Sequence, residues 1–123
     1  MIWVDKAFVV MAGLAGLAGT GLSAMAAHGP GGPQLDTAAR FLLIHAAALI
    51  GLAALVSTGA LSALPGRIAG LALILGLALF CGDLIRRSLA GTALFPMAAP
   101  TGGILLMAGW GLIALAALLP VRS

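Results

Sequence analysis

Four apolar runs, each long enough to cross a bilayer, constrain this chain more than any other feature in it. They cover residues 7–27, 37–56, 68–85 and 101–119, and a membrane-crossing helix needs about 20 predominantly apolar residues. Helix breakers and charges stand between them: His28-Gly29-Pro30-Gly31-Gly32-Pro33, then residues 57–67 with Pro65-Gly66, then residues 86–100 with Pro96. Of 123 residues, 63% are hydrophobic and only 7% charged, whereas a soluble domain carries about 25% charged residues. The spans leave room for short connections and no separate extramembrane domain. The pattern predicts an all-α, polytopic membrane protein whose single domain, 1–123, is a compact bundle of four transmembrane helices.

Composition also excludes other classes. The pI near 10.6 comes from six basic residues against three acidic ones, scattered singly instead of gathered into the patch that binds nucleic acid. No nucleic-acid partner is expected. Cys81 lies inside the third apolar run without a second cysteine and reads as a packing residue. Two histidines without acidic or thiolate company at ligand spacing make a weak metal signal, and no metal is expected. Neither a phosphate-cradling loop nor a cofactor motif is present, and no nucleophile stands beside an evident activating base. The expectation is no catalytic residue, no cofactor, no metal and no enzymatic activity. The first run, with Lys6 ahead of it and Ala24-Met25-Ala26 near its end, has the look of a signal peptide. It is longer than the 7–15 residues of a signal core, so it reads as the first span.

Four spans put both termini and the second connection on one side, here the near side, and the first and third connections on the far side. Lys6, Arg67 and Arg122 are then near and Arg40, Arg86 and Arg87 far, a tie under the positive-inside rule. With Arg40 buried and paired, the near side leads by one and the termini face the cytoplasm. Trp3 suits an aromatic anchor at the near interface, and Trp110, mid-span, reads as packing.

Lipid gives helices no hydrophobic reason to associate, so close backbone approach along rows of small residues supplies much of the attraction. Each span has such a row at heptad spacing: Gly13, Thr20 and Ala27; Ala47, Gly51 and Ala54; Ala69, Ala72 and Gly76; Gly102, Gly109 and Ala116. A repeat of seven implies left-handed packing. Arg40 lies seven residues before Ala47 and Asp83 seven after Gly76, so both extend rows expected to face the interior. An unpaired charge at that depth costs several kcal/mol. Two pairings of Asp83 are open: across helices to Arg40, or locally to Arg87 at i+4 or Arg86 at i+3.

His45 shares a bulky face with Phe41, Leu49, Leu52 and Val56, roughly 140° around the helix from Arg40. It reads as a neutral histidine bonded to a backbone carbonyl, as a contact to another subunit, or as part of a proton relay or a metal ligand. His28 reads as a polar cap where the first helix leaves the bilayer, Asp36 as the N-cap of the second helix, and Thr101, behind Pro100, as a cap of the fourth. His28, Arg40, His45 and Asp83 all fall in the far-side half and form a candidate intramembrane polar cluster, while the near-side half reads as almost wholly apolar.

Four fragments in order carry a resemblance: Ala26-Ala27-His28-Gly29; Thr37-Ala38 with Phe41 and His45-Ala46; Leu79-Phe80-Cys81-Gly82; and Ala99-Pro100-Thr101-Gly102-Gly103 with Gly109-Trp110. On these the chain resembles the YgdD-like family of small bacterial inner-membrane proteins, the domain of unknown function four hundred and twenty-three. The resemblance implies a four-helix protein of the bacterial inner membrane and highlights His28 and His45. Asp83 stands where the resemblance implies a small polar residue, and Phe41 where it implies an aromatic hydroxyl. No activity comes with it. The expected role is a structural or accessory membrane protein working by helix packing, as a homo-oligomer or a subunit of a larger assembly. The alternative is an oligomeric transporter or channel for a proton or small solute that uses the far-side polar residues.

Overall fold

A computed structural model describes residues 1–121. Among these residues there are four α-helices and no strand: α1, Trp3–His28; α2, Gly32–Ser57; α3, Ala63–Ala90; and α4, Ala98–Leu118. All four are long and apolar enough to cross a membrane, and the chain is an integral membrane protein. The α2, α3 and α4 helices begin three to five residues before the apolar runs do. Their breakers are absorbed into first turns: Pro33 in α2, Pro65 in α3 and Pro100 in α4. A first turn leaves its N–H groups unpaired anyway, so proline loses no hydrogen bond there. This corrects two expected caps. Asp36 lies inside α2 and Thr101 inside α4, whose N–H bonds to the carbonyl of Met97.

Glycines terminate the helices where the backbone turns left-handed. Gly31, at φ 114°, enters α2, and Gly91, at φ 75°, closes α3 with its N–H on the carbonyl of Arg87. Both conformations are strained for any residue with a Cβ.

The helices form two hairpins. The α1 helix packs along α2 and α3 along α4, and the hairpins meet through α2 against α3. The outer helices do not close a ring: α1 touches α3 lightly, and α4 reaches α2 only through side chains. One apolar groove therefore runs between α1 and α3 over a floor of α2, and a second runs between α2 and α4.

Each helix contributes a buried heptad row to these seams. On α3 it is Ala69, Gly76 and Asp83, and on α4 Gly102, Gly109 and Ala116. A Cβ on Gly76 would stand 2.8 Å from both the carbonyl oxygen of Gly102 and the amide nitrogen of Leu106. One on Gly102 would stand 2.5 Å from the amide nitrogen of Phe80. The α3 and α4 backbones thus touch, which only glycine permits. On α1 and α2 the buried rows are Asp5, Ala12 and Gly19, and Ala39, Ala46 and Ala53. These are displaced by one residue, about 100°, from the expected rows. Gly13, Thr20 and Ala27 are exposed, as are Ala47, Gly51 and Ala54, and no atom lies within 4 Å of a Cβ built on Gly13 or Gly51. Ala72 is half-buried beside the α3 row. The physical reason for the displacement is the bulk that accompanies each row. The register that buries Ala39, Ala46 and Ala53 also buries Leu49, Leu52 and Val56, so α2 hides its bulky face and leaves its second small row to lipid.

Candidate functional site

The four polar residues expected to cluster on the far side do not meet. His28 ends α1 and is exposed. Arg40 extends the lipid-facing row of α2 with its side chain 74% exposed, and its Nε bonds to Asp36 Oδ2 one turn back at 2.9 Å. The cross-helix pair with Asp83 is not formed. Since Arg40 is neither buried nor interior, the lean toward cytoplasmic termini loses its support; Arg122, counted with the near side, lies outside the described residues.

Asp83 takes the local alternative. It is fully buried, and its Oδ2 accepts from Nε of Arg87 at 2.7 Å while Oδ1 accepts from the backbone N–H of Leu94 at 2.8 Å. One carboxylate thus ties the last turns of α3 to the α3–α4 connection. Ser88 makes the complementary tie, its hydroxyl donating to the carbonyl of Gly31 in the α1–α2 connection at 2.9 Å. Arg86 turns outward and donates from Nε to Thr92 Oγ1.

The near-side half is not wholly apolar. Asp5 of α1 is 1% exposed and receives two bonds from Arg67 of α3, Nε to Oδ1 at 3.2 Å and Nη2 to Oδ2 at 3.1 Å. Immediately inside this fork, Phe8 lies against Gly70, where any Cβ would overlap its ring. Sequence reasoning missed this pair, although the signal was available. Asp5, Ala12 and Gly19 form a heptad row, and a carboxylate heading a buried small-residue row needs a cation.

His45 packs inward, not toward another subunit. Its Nδ1 lies 2.7 Å from the carbonyl oxygen of Phe41, one turn back, and its Nε2 lies 3.1 Å from Nε1 of Trp110 on α4. An indole N–H only donates and a carbonyl only accepts, so Nε2 is the acceptor and Nδ1 carries the hydrogen. The His45 ring stacks on Phe41 at 5.8 Å between centroids and meets Trp110 edge-on at 5.7 Å; Phe80 packs behind Phe41 at 4.5 Å. This bond is the polar link between α2 and α4. Trp110, expected as packing, also carries the hydrogen bond that orients the imidazole.

Cys81 is buried, with Sγ 3.5 Å from the carbonyl oxygen of Ala38, a weak contact typical of a thiol that fills space. Among the described residues no three His, Cys, Asp or Glu side chains gather into a metal site, and no buried side-chain nitrogen or oxygen lacks a hydrogen-bond partner. Every buried polar side chain described is thus bonded within this chain.

No solved structure matches the chain. The family model described as Protein of unknown function (DUF423) matches residues 22–103, from the last two turns of α1 through the first turns of α4. With two-thirds of its length covered, and with the bundle built mostly from that segment, the chain belongs to the DUF423 family of proteins of unknown function.

Proposed function

We propose that this chain is a structural or accessory protein of the bacterial inner membrane, acting through its outer helix faces as a homo-oligomer or as a small subunit of a larger assembly. The observation that carries this reading is the pair of small-residue rows left outside the bundle. Ala47, Gly51 and Ala54 of α2 and Gly13 and Thr20 of α1 are exposed on the outer faces, and a Cβ on Gly13 or Gly51 would meet nothing within 4 Å. A neighbouring helix approaches most closely along such rows. The inward polar groups favour the same reading, because each is already committed to a partner in the chain and none is left to handle a solute.

Cross-linking in native membranes tests it. In a Cys81→Ala background treated with a membrane-permeant copper–phenanthroline oxidant, Gly51→Cys is expected to give a disulfide-linked dimer or a disulfide adduct with a neighbouring membrane protein, whereas Ala53→Cys, on the buried row, gives neither. If neither Gly51→Cys nor Gly13→Cys forms an adduct and the protein sediments as a monomer in mild detergent, the proposal fails. Proton or small-solute flux into liposomes, present in wild type and lost in Asp83→Asn, would establish the transporter alternative instead.

A further inference from the structure

The sequence holds three acidic residues, Asp5, Asp36 and Asp83, and each is already the partner of one arginine: Arg67, Arg40 and Arg87 in turn. Arg86 is therefore left with no side-chain carboxylate of its own chain to balance it. It is exposed, and its Nε is held by Thr92 Oγ1 at 3.3 Å. Among the described residues nothing bonds to its two terminal nitrogens. Those are the part of a guanidinium that, together or with Nε, grips an oxyanion through parallel bonds. The counter-charge that Arg86 calls for has to come from outside the chain, and no internal bond has to break to receive it.

The surroundings of Arg86 select the anion. It lies one turn before Ala90, the last residue of α3, where the span reaches the far-side interface. The α3–α4 connection turns back beside these turns toward the midplane, since the N–H of Leu94 reaches Asp83, a position roughly 10 Å short of Ala90 along the helix. Leu94 thereby lies against Gly82, one turn before Arg86, with Cδ2 3.7 Å from the place of a Cβ there. Leu94 is exposed, as is Leu75, which stands eleven residues before Arg86 and so on the same face of α3. A cation at the interface thus sits directly over apolar side chains that face hydrocarbon. A soluble anion balances the charge and leaves that surface bare, and a zwitterionic lipid brings its own cation with its phosphate. A lipid of net negative charge answers both. We propose that Arg86 and the exposed face of α3 beneath it bind an anionic phospholipid, with the phosphodiester on the guanidinium and an acyl chain along Leu94 and Leu75. This site lies on α3, apart from the α1 and α2 rows proposed to meet a neighbouring helix, and does not depend on that contact.

Native mass spectrometry of the whole protein, released from mild detergent containing equal amounts of phosphatidylglycerol and phosphatidylethanolamine with identical acyl chains, tests the proposal. Wild type is expected to retain phosphatidylglycerol over phosphatidylethanolamine by about fivefold, the factor equivalent to about 1 kcal/mol for one basic residue at an anionic surface. Arg86→Gln is expected to bring the ratio to one with thermal unfolding unchanged, because Arg86 pairs with no carboxylate. Lys6→Gln removes the same charge from the exposed first turns of α1 and is expected to keep the wild-type ratio. Inorganic phosphate in large excess is expected to leave the lipid in place. A ratio near one in wild type, a wild-type ratio in Arg86→Gln, an equal loss in Lys6→Gln, or displacement of the lipid by inorganic phosphate would overturn the proposal.

Discussion

Arg67 reaches across from the first turns of α3 to hold both oxygens of Asp5, sixty-two residues earlier in the chain. The two ends of this pair differ in environment. Asp5 is 1% exposed, whereas the Arg67 side chain keeps 27% of its surface. Lys6 is exposed beside it and points away, so Arg67 is the cation that Asp5 depends on. Because α1 otherwise touches α3 only lightly, the fork and the contact of Phe8 with Gly70 are what join these two helices at the near side.

That asymmetry predicts unequal mutants. Arg67→Met strands a buried carboxylate and is expected to destabilise by about 3–5 kcal/mol, the usual cost of breaking a buried pair from one side. Asp5→Asn leaves an arginine whose long stem can carry its charge to the headgroup region, and is expected to cost less than half as much. The double variant Asp5→Leu with Arg67→Met is expected to recover most of the loss. Thermal unfolding in detergent, followed by circular dichroism, ranks the three; an Asp5→Asn defect as large as that of Arg67→Met contradicts the account.

Glycines on the two kinds of helix face are expected to respond in opposite directions. Gly102→Ala places a methyl 2.5 Å from the Phe80 amide nitrogen and 2.8 Å from the Gly76 carbonyl oxygen, backbone atoms that cannot move aside singly. A loss of about 1–3 kcal/mol is expected from this overpacking. Gly13→Ala meets nothing within 4 Å and is expected to be neutral or stabilising by up to about 1 kcal/mol through helix propensity. Unfolding midpoints of the purified protein distinguish them, and a Gly102→Ala protein as stable as wild type would show that the α3–α4 seam is looser than described.

These comparisons show what was legible in the sequence. Length and hydropathy suffice for four spans, since lipid forces every backbone group to bond within its own helix. The α3 and α4 rows are legible because Gly76 stands between Leu75 and Leu77 and Gly109 directly precedes Trp110, so one register stands out. On α1 and α2 glycine and alanine are so frequent that adjacent registers look alike, and only the bulky or charged company of a row separates them. Phe8 with Asp5, and Leu49 with Leu52 and Val56, mark the buried side. Arg40 shows the same limit from outside: it kept register with Ala47 and Gly51, but the whole row faces lipid. The bond between His45 and Trp110 spans sixty-five residues, and no periodicity within one helix encodes such a contact.

The two far-side carboxylates are expected to differ sharply when neutralised. Asp36 pairs with Arg40 at the surface, where an exposed i,i+4 pair contributes about 0–1 kcal/mol, so Asp36→Asn is expected to leave stability within error. Asp83→Ala removes the acceptor for both Arg87 and the Leu94 N–H and frees the 91–97 connection from α3. Hydrogen exchange is expected to rise selectively across residues 92–97, with α1 and α2 unaffected, and overall stability to fall by about 2 kcal/mol or more. Unchanged exchange in that connection would mean that its conformation is held by something other than Asp83.

The polar bridge between α2 and α4 is best measured as a coupling. His45→Phe leaves the Trp110 N–H without its acceptor, and Trp110→Phe leaves His45 Nε2 without its donor, so each single variant is expected to lose about 1–3 kcal/mol. The double variant replaces both partners with apolar rings of similar shape and removes the unmet hydrogen-bonding need altogether. Its stability is expected to lie above the sum of the single losses by roughly 1 kcal/mol, within the range found for directly contacting residues. Since Trp3 is exposed at the near-side end, a Trp3→Phe background leaves Trp110 as the lone tryptophan, and its emission is expected to shift on His45→Phe. Strict additivity of the two losses, together with an unshifted emission, would show that the rings only pack against each other and that the hydrogen bond contributes nothing to holding α4 on α2.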